Sequence, residues 1–525
     1  MNNRPSWSRI VLAFATALII GAVLGSVMQT QINLLALRGL GVEIGVGAWL
    51  GTTLEDLFKF GPVYLAMFGC GFLVSQLVAM VATRYVLTAW RPPVCALAAA
   101  VGLWATFKLV DALAPPPTLI AATRDVGGML AMVFTAAVAG WLFATMAGSR
   151  PGRSAQGGGA AVAVLVLASA FPADDVRAQP ADAYQLQTVV DGLAHPWSLA
   201  FLPDGRMLVT ERPGRLRIVS RSGELLPEPV DGVPEVFNHA QAGLFEVLPA
   251  RDFATSQRLY LSYACGTLEA NHTCLARGRL QDGALDEVEE LFRAMPAKAG
   301  AAHYGGRMAW LGDGTLLLTL GDGFDYREEA QKLSSHIGTI VRLNVDGSVP
   351  GDNPFVNNGQ ARPEIFSYGH RNVQGLVYDD ASRQVIIHEH GPRGGDEINR
   401  IEAGLNYGWP VATYGLDYTW ARVTPFTRYP GTEQPLLHWT PSIAPSGMTL
   451  YDGELFPQWQ GSLLVGGLVT QAVHRVALSP DGATDMEKLF SELGARIRDV
   501  RTGPDGAIYL LTDSPEGRLV RVAPR

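Results

Sequence analysis

The sequence predicts an all-β, six-bladed β-propeller in the C-terminal two-thirds of the chain, preceded by an α-helical transmembrane region of four to five helices. Two observations carry this prediction. Long apolar runs crowd the first 150 of the 525 residues, and short alternating runs separated by turns fill the sequence from Leu193 onward. We therefore divide the chain into a transmembrane region (1–150), a signal-peptide-like linker with a fifth apolar segment (151–190) and a propeller (191–525).

Four apolar runs approach the roughly 20 residues that are needed to cross the hydrocarbon core of a bilayer. They span residues 10–28, 60–82, 94–110 and 126–146. Polar faces are missing from these runs, which disfavours buried core helices of a soluble protein. A fifth run, 160–171, is shorter and is followed by small residues up to Ala178, as in a cleavable signal peptide. Retention of this run as an anchor and its cleavage both stay open.

Basic residues flank the apolar runs asymmetrically. Arg4 and Arg9 precede the first run, and Arg84 and Arg91 lie between the second and the third. Positive residues mark the cytoplasmic side of membrane helices. The pattern predicts a protein of the bacterial inner (cytoplasmic) membrane, with a cytoplasmic N-terminus and a periplasmic propeller.

Asp-Gly pairs between short strand-like runs recur in the C-terminal part. They occur in FLPDGRMLVTER (201–212), WLGDGTLLLTLGD (310–322), LYDGELFPQWQGSLLVGG (450–467) and GPDGAIYLLTDS (503–514). Asp-Gly between two strands is a strong hairpin signal, because glycine accepts the positive φ of such turns. Six strand–turn–strand units in series favour a propeller, and a large β-sandwich array is the competing interpretation.

Charge and cysteine content narrow the function classes. The formal net charge is −8 with both signs interspersed, which argues against a nucleic-acid partner, since such a partner requires a basic stripe. Cys265 and Cys274 flank a short polar stretch and could close a disulfide loop in an oxidising compartment, with two unrelated free thiols as the alternative. Cys70 and Cys95 lie inside apolar runs, where a thiol behaves as a small hydrophobic group.

Several polar residues are candidates for chemistry. His303 in AAHYGGRMAWL lies before a predicted strand, where it could act as a general base near neutral pH, and a purely structural histidine is the alternative. Arg371 follows Tyr368-Gly369-His370 and is expected to be exposed. Its guanidinium suits an anionic cofactor or a developing oxyanion, and a surface ion pair is the alternative.

Arg496 and Arg498 alternate in ARIRDVRTGPDG, so both side chains are expected on one side of a strand. Two cations on one face repel each other unless an anion lies between them. The anion could be a bound ligand, or Asp499 could neutralise both arginines in a structural network.

One stretch, residues 367–410, is more specific than the rest. It reads SYGHRNVQGLVYDDASRQVIIHEHGPRGGDEINRIEAGLNYGWP and combines two glycine-containing turns with Arg371 and a carboxylate pair. No packing pattern requires that combination. The stretch resembles, almost residue for residue, the signature of the soluble aldose sugar dehydrogenases that use pyrroloquinoline quinone (PQQ), the glucose/sorbosone dehydrogenase family. The resemblance extends from about residue 190 to the C-terminus and does not cover the first 180 residues.

The resemblance implies a quinoprotein oxidoreductase that oxidises the C1 hydroxyl of aldose sugars to lactones by hydride transfer to PQQ. It implies that His303 is the general base and that Arg371 stabilises charge. The implied cofactor-binding residues are Arg371, Asn372, Arg496, Arg498, Ser442 and Trp439, and the implied substrate contact is Gln241. The implied Ca²⁺ ligands at the cofactor are the carbonyls of Gly391 and Pro392, and a structural Ca²⁺ site is expected at Asp396, Glu397, Tyr407 and Asp417.

Two positions depart from the family pattern. Ala302 stands where some relatives carry an aspartate, so any orienting carboxylate is absent or supplied elsewhere. Val469 stands near the position where relatives commonly place a lysine that pairs with the cofactor, and Arg393 could supply that charge. The alternatives to a quinoprotein dehydrogenase are therefore a redox-inactive carbohydrate-binding propeller and a calcium-dependent lactonase. The expected partners are an aldose substrate, the lipid bilayer, and a respiratory quinone or another electron acceptor.

Overall fold

The computed structural model describes residues 6–85, 87–113, 118–148 and 184–525. These residues form two compact units. The first unit contains the described residues of 6–32, 53–113 and 120–148, and the second contains 33–52, 118–119 and 184–525. The fifth apolar run and its candidate cleavage sites lie outside the described residues.

Five α-helices occupy the described residues before the propeller. They are α1 (Trp7–Gly39), α2 (Val46–Lys59), α3 (Gly61–Tyr85), α4 (Arg91–Leu113) and α5 (Val126–Ala147). All except α2 are long and apolar enough to cross a membrane, which confirms the prediction from the four apolar runs. Helices α3 and α4 approach closely, because a Cβ on Gly102 would lie 2.7 Å from the Cβ of Ser75. Small residues at such crossings let apolar helices pack in lipid.

The second unit contains the predicted six-bladed propeller. Its first strand is β1 (Tyr184–Leu193), and the first blade is β2 (Pro196–Phe201), β3 (Met207–Glu211) and β4 (Arg215–Val219). The second blade is β5 (Leu244–Pro249), β6 (Arg258–Gly266), β7 (Asn271–Gln281) and β8 (Ala284–Arg293), with a one-turn helix α6 (Phe253–Ser256) after β5. The third is β9 (Gly305–Trp310), β10 (Leu316–Leu320), β11 (Thr339–Leu343) and β12 (Ile365–Tyr368).

The remaining three blades follow in chain order. The fourth is β13 (Val373–Asp379), β14 (Gln384–Glu389), β15 (Asp396–Ile401) and β16 (Leu437–Trp439). The fifth is β17 (Pro445–Leu450), β18 (Ser462–Gly467), β19 (Ala472–Ser479) and β20 (Gly482–Leu489). The sixth is β21 (Ile497–Thr502), β22 (Ile508–Thr512) and β23 (Gly517–Pro524), and β1 completes it. The innermost strands β2, β5, β9, β13, β17 and β21 contact one another in turn and close the ring.

Strand β1 closes the ring by pairing antiparallel with β23, with Leu186 opposite Val522 and Thr188 opposite Val520. This pairing covers an edge that would otherwise be open. Within the described residues, the first strand of the propeller is β1 (Tyr184–Leu193).

The Asp-Gly pairs form the expected hairpin turns in three blades. Gly205, Gly314 and Gly506 have φ values of +88°, +85° and +75°, which residues with a Cβ adopt only with strain. They connect β2 to β3, β9 to β10 and β21 to β22. The innermost two strands of each of these blades are therefore fixed by local sequence.

A buried ionic network lies where the innermost strands converge. Arg307 on β9 places Nη1 3.0 Å from Asp499 on β21 and 3.7 Å from Glu246 on β5, and its guanidinium lies 4.1 Å from the ring centre of Trp197. Arg501 contacts both Glu246 and Asp499. The network joins four blades, so it couples strands that are distant in sequence.

A disulfide joins Cys265 on β6 to Cys274 on β7, with the Cα atoms 6.0 Å apart. The two cysteines are therefore partners, and the alternative of two unrelated thiols is not what the fold forms. Cys70 and Cys95 are free thiols.

Candidate active site

His303 and Asp322 form a buried pair at the ends of two adjacent strands. His303 lies two residues before β9 with a φ of +49°, and only 4% of its surface is exposed. Its Nδ1 lies 2.6 Å from Oδ1 of Asp322. Because a carboxylate accepts hydrogen bonds, Nδ1 carries the proton and Nε2 is the basic nitrogen.

Asp322 is itself fixed by two further donors. The indole Nε1 of Trp409 donates to Oδ2 at 2.8 Å, and the backbone N–H of Phe324 donates to Oδ1 at 2.8 Å. A carboxylate held in this way keeps one tautomer and one orientation of the imidazole. The orienting carboxylate that Ala302 cannot provide therefore comes from a different loop.

Sequence reasoning missed Asp322, although a signal was present. Leu320 at the end of β10 pairs with Gly305 at the start of β9. A hairpin brings the residues after its second strand next to those before its first strand. The Asp-Gly hairpin at 312–315 thus places Asp322 beside His303.

The electrostatics of the pair keep the imidazole neutral and the carboxyl ionised. Burial lowers the pKa of His303, the charge of Arg371 lowers it further, and Asp322 only partly opposes them. Burial disfavours ionisation of Asp322, but His303, Arg371 and the N–H of Phe324 together lower its pKa. A neutral imidazole near pH 7 can accept a proton.

Arg371 lies beside this pair and is buried, with 3% of its surface exposed, which corrects the expectation of an exposed side chain. Its Nη1 donates to the carbonyl of Gly391 at 2.7 Å and to that of His390 at 3.1 Å. The guanidinium also lies 5.3 Å from the ring centre of Trp409. Two neutral carbonyl acceptors and an aromatic face therefore hold the guanidinium. Within the described residues, it forms no ion pair with a carboxylate.

Gln241 and Asn372 support the loops of the site. The Oε1 of Gln241 accepts a hydrogen bond from the backbone N–H of His303 at 2.9 Å. The Oδ1 of Asn372 accepts one from the backbone N–H of Gly305 at 3.1 Å. These contacts place the side chains of Gln241 and Asn372 against the backbone of residues 303–305, next to the buried pair.

Arg496 and Arg498 converge on one carboxylate, that of Asp513 after β22, at 3.1 and 3.0 Å. Asp499 is not their partner, since it contacts Arg307 and Arg501. The alternative in which Asp499 neutralises Arg496 and Arg498 is therefore wrong.

A third arginine, Arg212 after β3, joins this cluster and was missed by sequence reasoning. Burial, with Arg498, lowers its pKa against the attraction of Asp513. Its buried Nε has no hydrogen-bond partner within the described residues. Arg496 and Arg498 share one carboxylate, with which Arg212 interacts electrostatically, so positive charge is in excess here, which fits an anionic ligand with several carboxylates. Arg212 also donates to the carbonyl of Ala240, next to Gln241.

Of the two carbonyls expected to bind calcium at the cofactor, that of Gly391 already accepts a hydrogen bond. The carbonyl of Gly391 accepts from Arg371, and the N–H of Gly391 donates to Oδ1 of Asp396 at 2.9 Å. The hydroxyl of Ser442 donates to Oδ2 of Asp396 at 2.6 Å. Asp396 and Ser442 therefore fix the loop that carries Gly391 and Pro392.

The four residues expected at a structural calcium site do not all meet, although Glu397 and Tyr407 line one small cavity with Arg371 and Gly391. Asp396 and Glu397 are consecutive on β15 and so point to opposite faces. The hydroxyl of Tyr407 donates to the carbonyl of Arg400 at 2.9 Å and accepts from the N–H of Glu402 at 2.8 Å. Asp417 lies 3.8 Å from Arg327. Within the described ranges, the one set of three or more close ligand groups contains the two disulfide-bonded cysteines. Burial, and then the charge of Glu389, raises the pKa of Glu397.

Trp439 packs in the core, whereas Val469 follows Leu468, whose carbonyl accepts a hydrogen bond from Nη1 of Arg496 at 3.4 Å. The indole Nε1 of Trp439 donates to Asp485 at 2.8 Å, and its ring packs in the apolar core of the fourth and fifth blades. Val469 is 62% exposed. The guanidinium of Arg393 lies 3.5 Å from the ring centre of Trp420. These contacts give no support to a cofactor role for Trp439.

The family model of glucose/sorbosone dehydrogenase matches residues 193–521, and the chain belongs to this family. The helices before residue 148 lie outside the matched stretch.

Known relatives cover the propeller nearly completely. The aldose sugar dehydrogenase YliI of Escherichia coli (strain K12) is 43% identical over 346 residues, which is 65% of this chain and 93% of that protein. A crystal structure of the soluble aldose sugar dehydrogenase from Escherichia coli in the apo-form matches with a TM-score of 0.63 and 42% identity, covering 65% of this chain and all of that one. The PQQ-bound aldose sugar dehydrogenase from Streptomyces coelicolor matches with a TM-score of 0.53 and 27% identity, covering 66% of this chain and 100% of that one.

Proposed function

We propose that the protein is a PQQ-dependent aldose dehydrogenase that oxidises the C1 hydroxyl of a cyclic aldose to a lactone. The observation that carries the proposal is the buried pair of His303 and Asp322 beside Arg371. The proposal is supported by the names of two relatives, which are aldose sugar dehydrogenases, and by the PQQ-bound state of one of them.

The arginine cluster is the feature that fits the cofactor. We propose that Arg212, Arg496 and Arg498 hold carboxylates of PQQ, with Arg371 and Asn372 at the quinone. The buried, unpartnered Nε of Arg212 supports this assignment, because a buried donor without an acceptor is costly. When bound, the quinone supplies the two-electron acceptor for a hydride.

Calcium at the carbonyls of Gly391 and Pro392 is proposed on the family resemblance. A carbonyl oxygen has two lone pairs, and Arg371 uses one of those on Gly391. A cation bound there would therefore lie close to the guanidinium. The calcium site is tested by measuring dye reduction after calcium is removed with a chelator and again after calcium is added back.

The residues of the site suit one proton transfer. We propose that Nε2 of His303 accepts the proton of the anomeric hydroxyl as the C1 hydrogen leaves as hydride, so that the C–O bond becomes the lactone carbonyl. Asp322 stabilises the imidazolium that forms. Arg371 stabilises negative charge on the acceptor side. Gln241, which fixes the backbone of His303, is the proposed contact to the sugar.

We further propose that the propeller is periplasmic and anchored in the bacterial inner membrane by the N-terminal helices. The support is the distribution of basic residues around the apolar runs and the disulfide of Cys265 and Cys274. A membrane-bound dehydrogenase has ready access to the respiratory quinone pool, which we propose as the electron acceptor.

The test is dye reduction by the full-length protein in detergent with PQQ, calcium and a panel of aldoses. We expect sugar-dependent turnover that is lost in His303→Ala, while the binding of PQQ measured by absorbance is kept. His272→Ala is the matched control, because the ring of His272 on β7 bonds to the carbonyl of Ala294 rather than to His303 or Asp322. PQQ binding without turnover would favour the redox-inactive binding propeller, and lactone hydrolysis without PQQ would favour the lactonase.

A further inference from the structure

A segment from far upstream of the propeller packs on one of its loops. Residues 33–52 comprise the end of α1, a turn through Gly41 and the start of α2, and they belong to the same compact unit as the propeller. Their partner is the loop 411–429 between β15 and β16. The family model begins at residue 193, so the segment lies outside the part of the chain that defines the family.

An apolar cluster joins the segment to the loop. Leu34, Leu37 and Val42 are buried together with Val411 of the loop. Partly buried side chains surround them: Leu40, Ile44 and Trp49 from the segment, and Phe426 and Tyr429 from the loop. Removal of this much apolar surface from water favours a stable contact.

Hydrogen bonds give the contact a fixed register. Asn33 is 3% exposed, and its Oδ1 accepts from Nη2 of Arg327 at 3.0 Å while its Nδ2 donates to the carbonyl of Arg422 at 3.4 Å. The backbone N–H of Glu43 donates to the hydroxyl of Tyr429 at 2.8 Å. The segment is therefore bonded to the loop at two points, Arg422 and Tyr429.

The loop leads directly to the catalytic pair. Arg327, which donates a hydrogen bond to Asn33, lies 3.8 Å from Asp417. The next residue, Tyr418, stacks on Phe324 with ring centres 6.0 Å apart, and Phe324 makes an edge contact with His303 at 5.2 Å. Few contacts thus separate the segment from the general base.

The loop also presents two exposed aromatic rings. Tyr418 is 43% exposed and Trp420 is 40% exposed. Aromatic side chains that keep an exposed face in a polar site are suited to binding a ligand that has both apolar and hydroxylated surfaces, such as a pyranose.

We propose that residues 33–52 clamp the loop 411–429 and thereby position Tyr418 and Trp420 as a wall for the aldose. The proposal rests on the proposed function for the identity of the ligand. The propeller is then not the complete sugar-binding unit, and the segment from the membrane region determines affinity and specificity for the sugar. Asn33 is a positioning residue, since it acts on the substrate through Arg327 and the loop.

The test compares three variants of the full-length protein in detergent with the unaltered chain. Asn33→Leu keeps the branched shape and the number of heavy atoms of the side chain and removes both hydrogen bonds. Tyr429→Phe removes a single acceptor and preserves the packing, so it tests the clamp even where Asn33→Leu fails to fold. Leu35→Ala is the control, because Leu35 lies on the same helix and is 55% exposed.

Two readouts are measured: amide hydrogen exchange of peptides within 411–429, and KM and kcat for the aldose. For Asn33→Leu we expect faster amide exchange that is confined to the loop. We also expect KM to rise about tenfold while kcat changes by less than about twofold, because the loss of ground-state binding raises KM and leaves kcat nearly unchanged. Tyr429→Phe is expected to change both readouts in the same direction by less. Exchange and KM equal to those of Leu35→Ala would overturn the clamp.

The two readouts also separate this inference from the proposed function. An unaltered protein that does not oxidise aldoses would overturn the proposed function and with it the assignment of the loop as a sugar wall. Loop exchange then decides the clamp by itself: faster exchange in Asn33→Leu supports it, and unchanged exchange overturns it.

Discussion

At the scale of single residues, the carboxylate that orients His303 determines what the site can do. Asp322 lies outside the stretch 367–410 that indicates the family, yet it accepts hydrogen bonds from His303, Trp409 and the N–H of Phe324. An imidazole held by such a carboxylate carries its proton on Nδ1, and its other nitrogen is free to act as a base.

We expect Asp322→Asn to lower kcat by a factor of about 10²–10⁴, because an amide at this position can leave the imidazole in the wrong tautomer. The binding of PQQ, measured by absorbance titration, should change little. Asp282→Asn is the matched control, since Asp282 lies in the exposed turn between β7 and β8 and already has a left-handed φ of +50°. Equal kcat values for the two variants would contradict the role of Asp322.

The pH profile gives a second expectation at this scale. The pKa of His303 is lowered from 6.5, first by burial and then by Arg371. The base is active when it is unprotonated. The midpoint of the acid limb of kcat/KM should therefore lie below pH 6.5. Since Asp322 raises the pKa of His303, residual activity of Asp322→Asn should extend to still lower pH. An acid limb well above pH 6.5 in the unaltered protein would exclude a lowered pKa of the base.

At the scale of elements, the innermost strands are held by the ionic network of Arg307, Glu246, Asp499 and Arg501. All four side chains have their charged groups buried or half-buried, and each carboxylate meets both arginines. Pairs of this kind contribute little relative to an apolar core, but removal of one partner leaves a buried charge uncompensated.

We expect Arg307→Met to destabilise the propeller by about 3–5 kcal/mol, because Glu246 and Asp499 lose a buried cation. The measurement is thermal unfolding of the full-length protein in detergent, followed by tryptophan fluorescence. Arg279→Met provides the control, as Arg279 is exposed on β7. An unfolding midpoint for Arg307→Met that matches the control would show that Arg501 alone neutralises both carboxylates.

At the scale of the whole molecule, the chain combines apolar helices with a disulfide-bonded propeller. The disulfide between Cys265 and Cys274 forms in an oxidising compartment, whereas the free thiols of Cys70 and Cys95 lie on helices α3 and α4. The oxidation state of the four cysteines therefore reports where the propeller folds.

We expect alkylation of the denatured, unreduced protein to label two of the four cysteines, and alkylation after reduction to label all four. The number of labelled cysteines is measured by mass spectrometry of protein that is purified from bacterial membranes. In Cys70→Ser the counts should fall by one in both conditions, which assigns the free thiol. Four labels without reduction would contradict a periplasmic propeller.

The sequence by itself determined the features that depend on local chemistry. Apolar length fixes the helices that can cross a membrane, Asp-Gly pairs fix the hairpins, and the stretch 367–410 indicates the family. It also indicated His303, Arg371, Asn372 and Gln241, because these residues lie in short motifs at strand ends.

Only the tertiary structure decided which distant residues meet. The ring closure by β1, the partner of His303, the convergence of Arg212 with Arg498, and the contact of residues 33–52 with the loop 411–429 all join parts of the chain through pairing or burial. The structure also separated residues that the sequence grouped, such as Asp396 and Glu397, since neighbours on a strand face opposite sides. Local patterns specify elements, whereas the packing of those elements specifies the site.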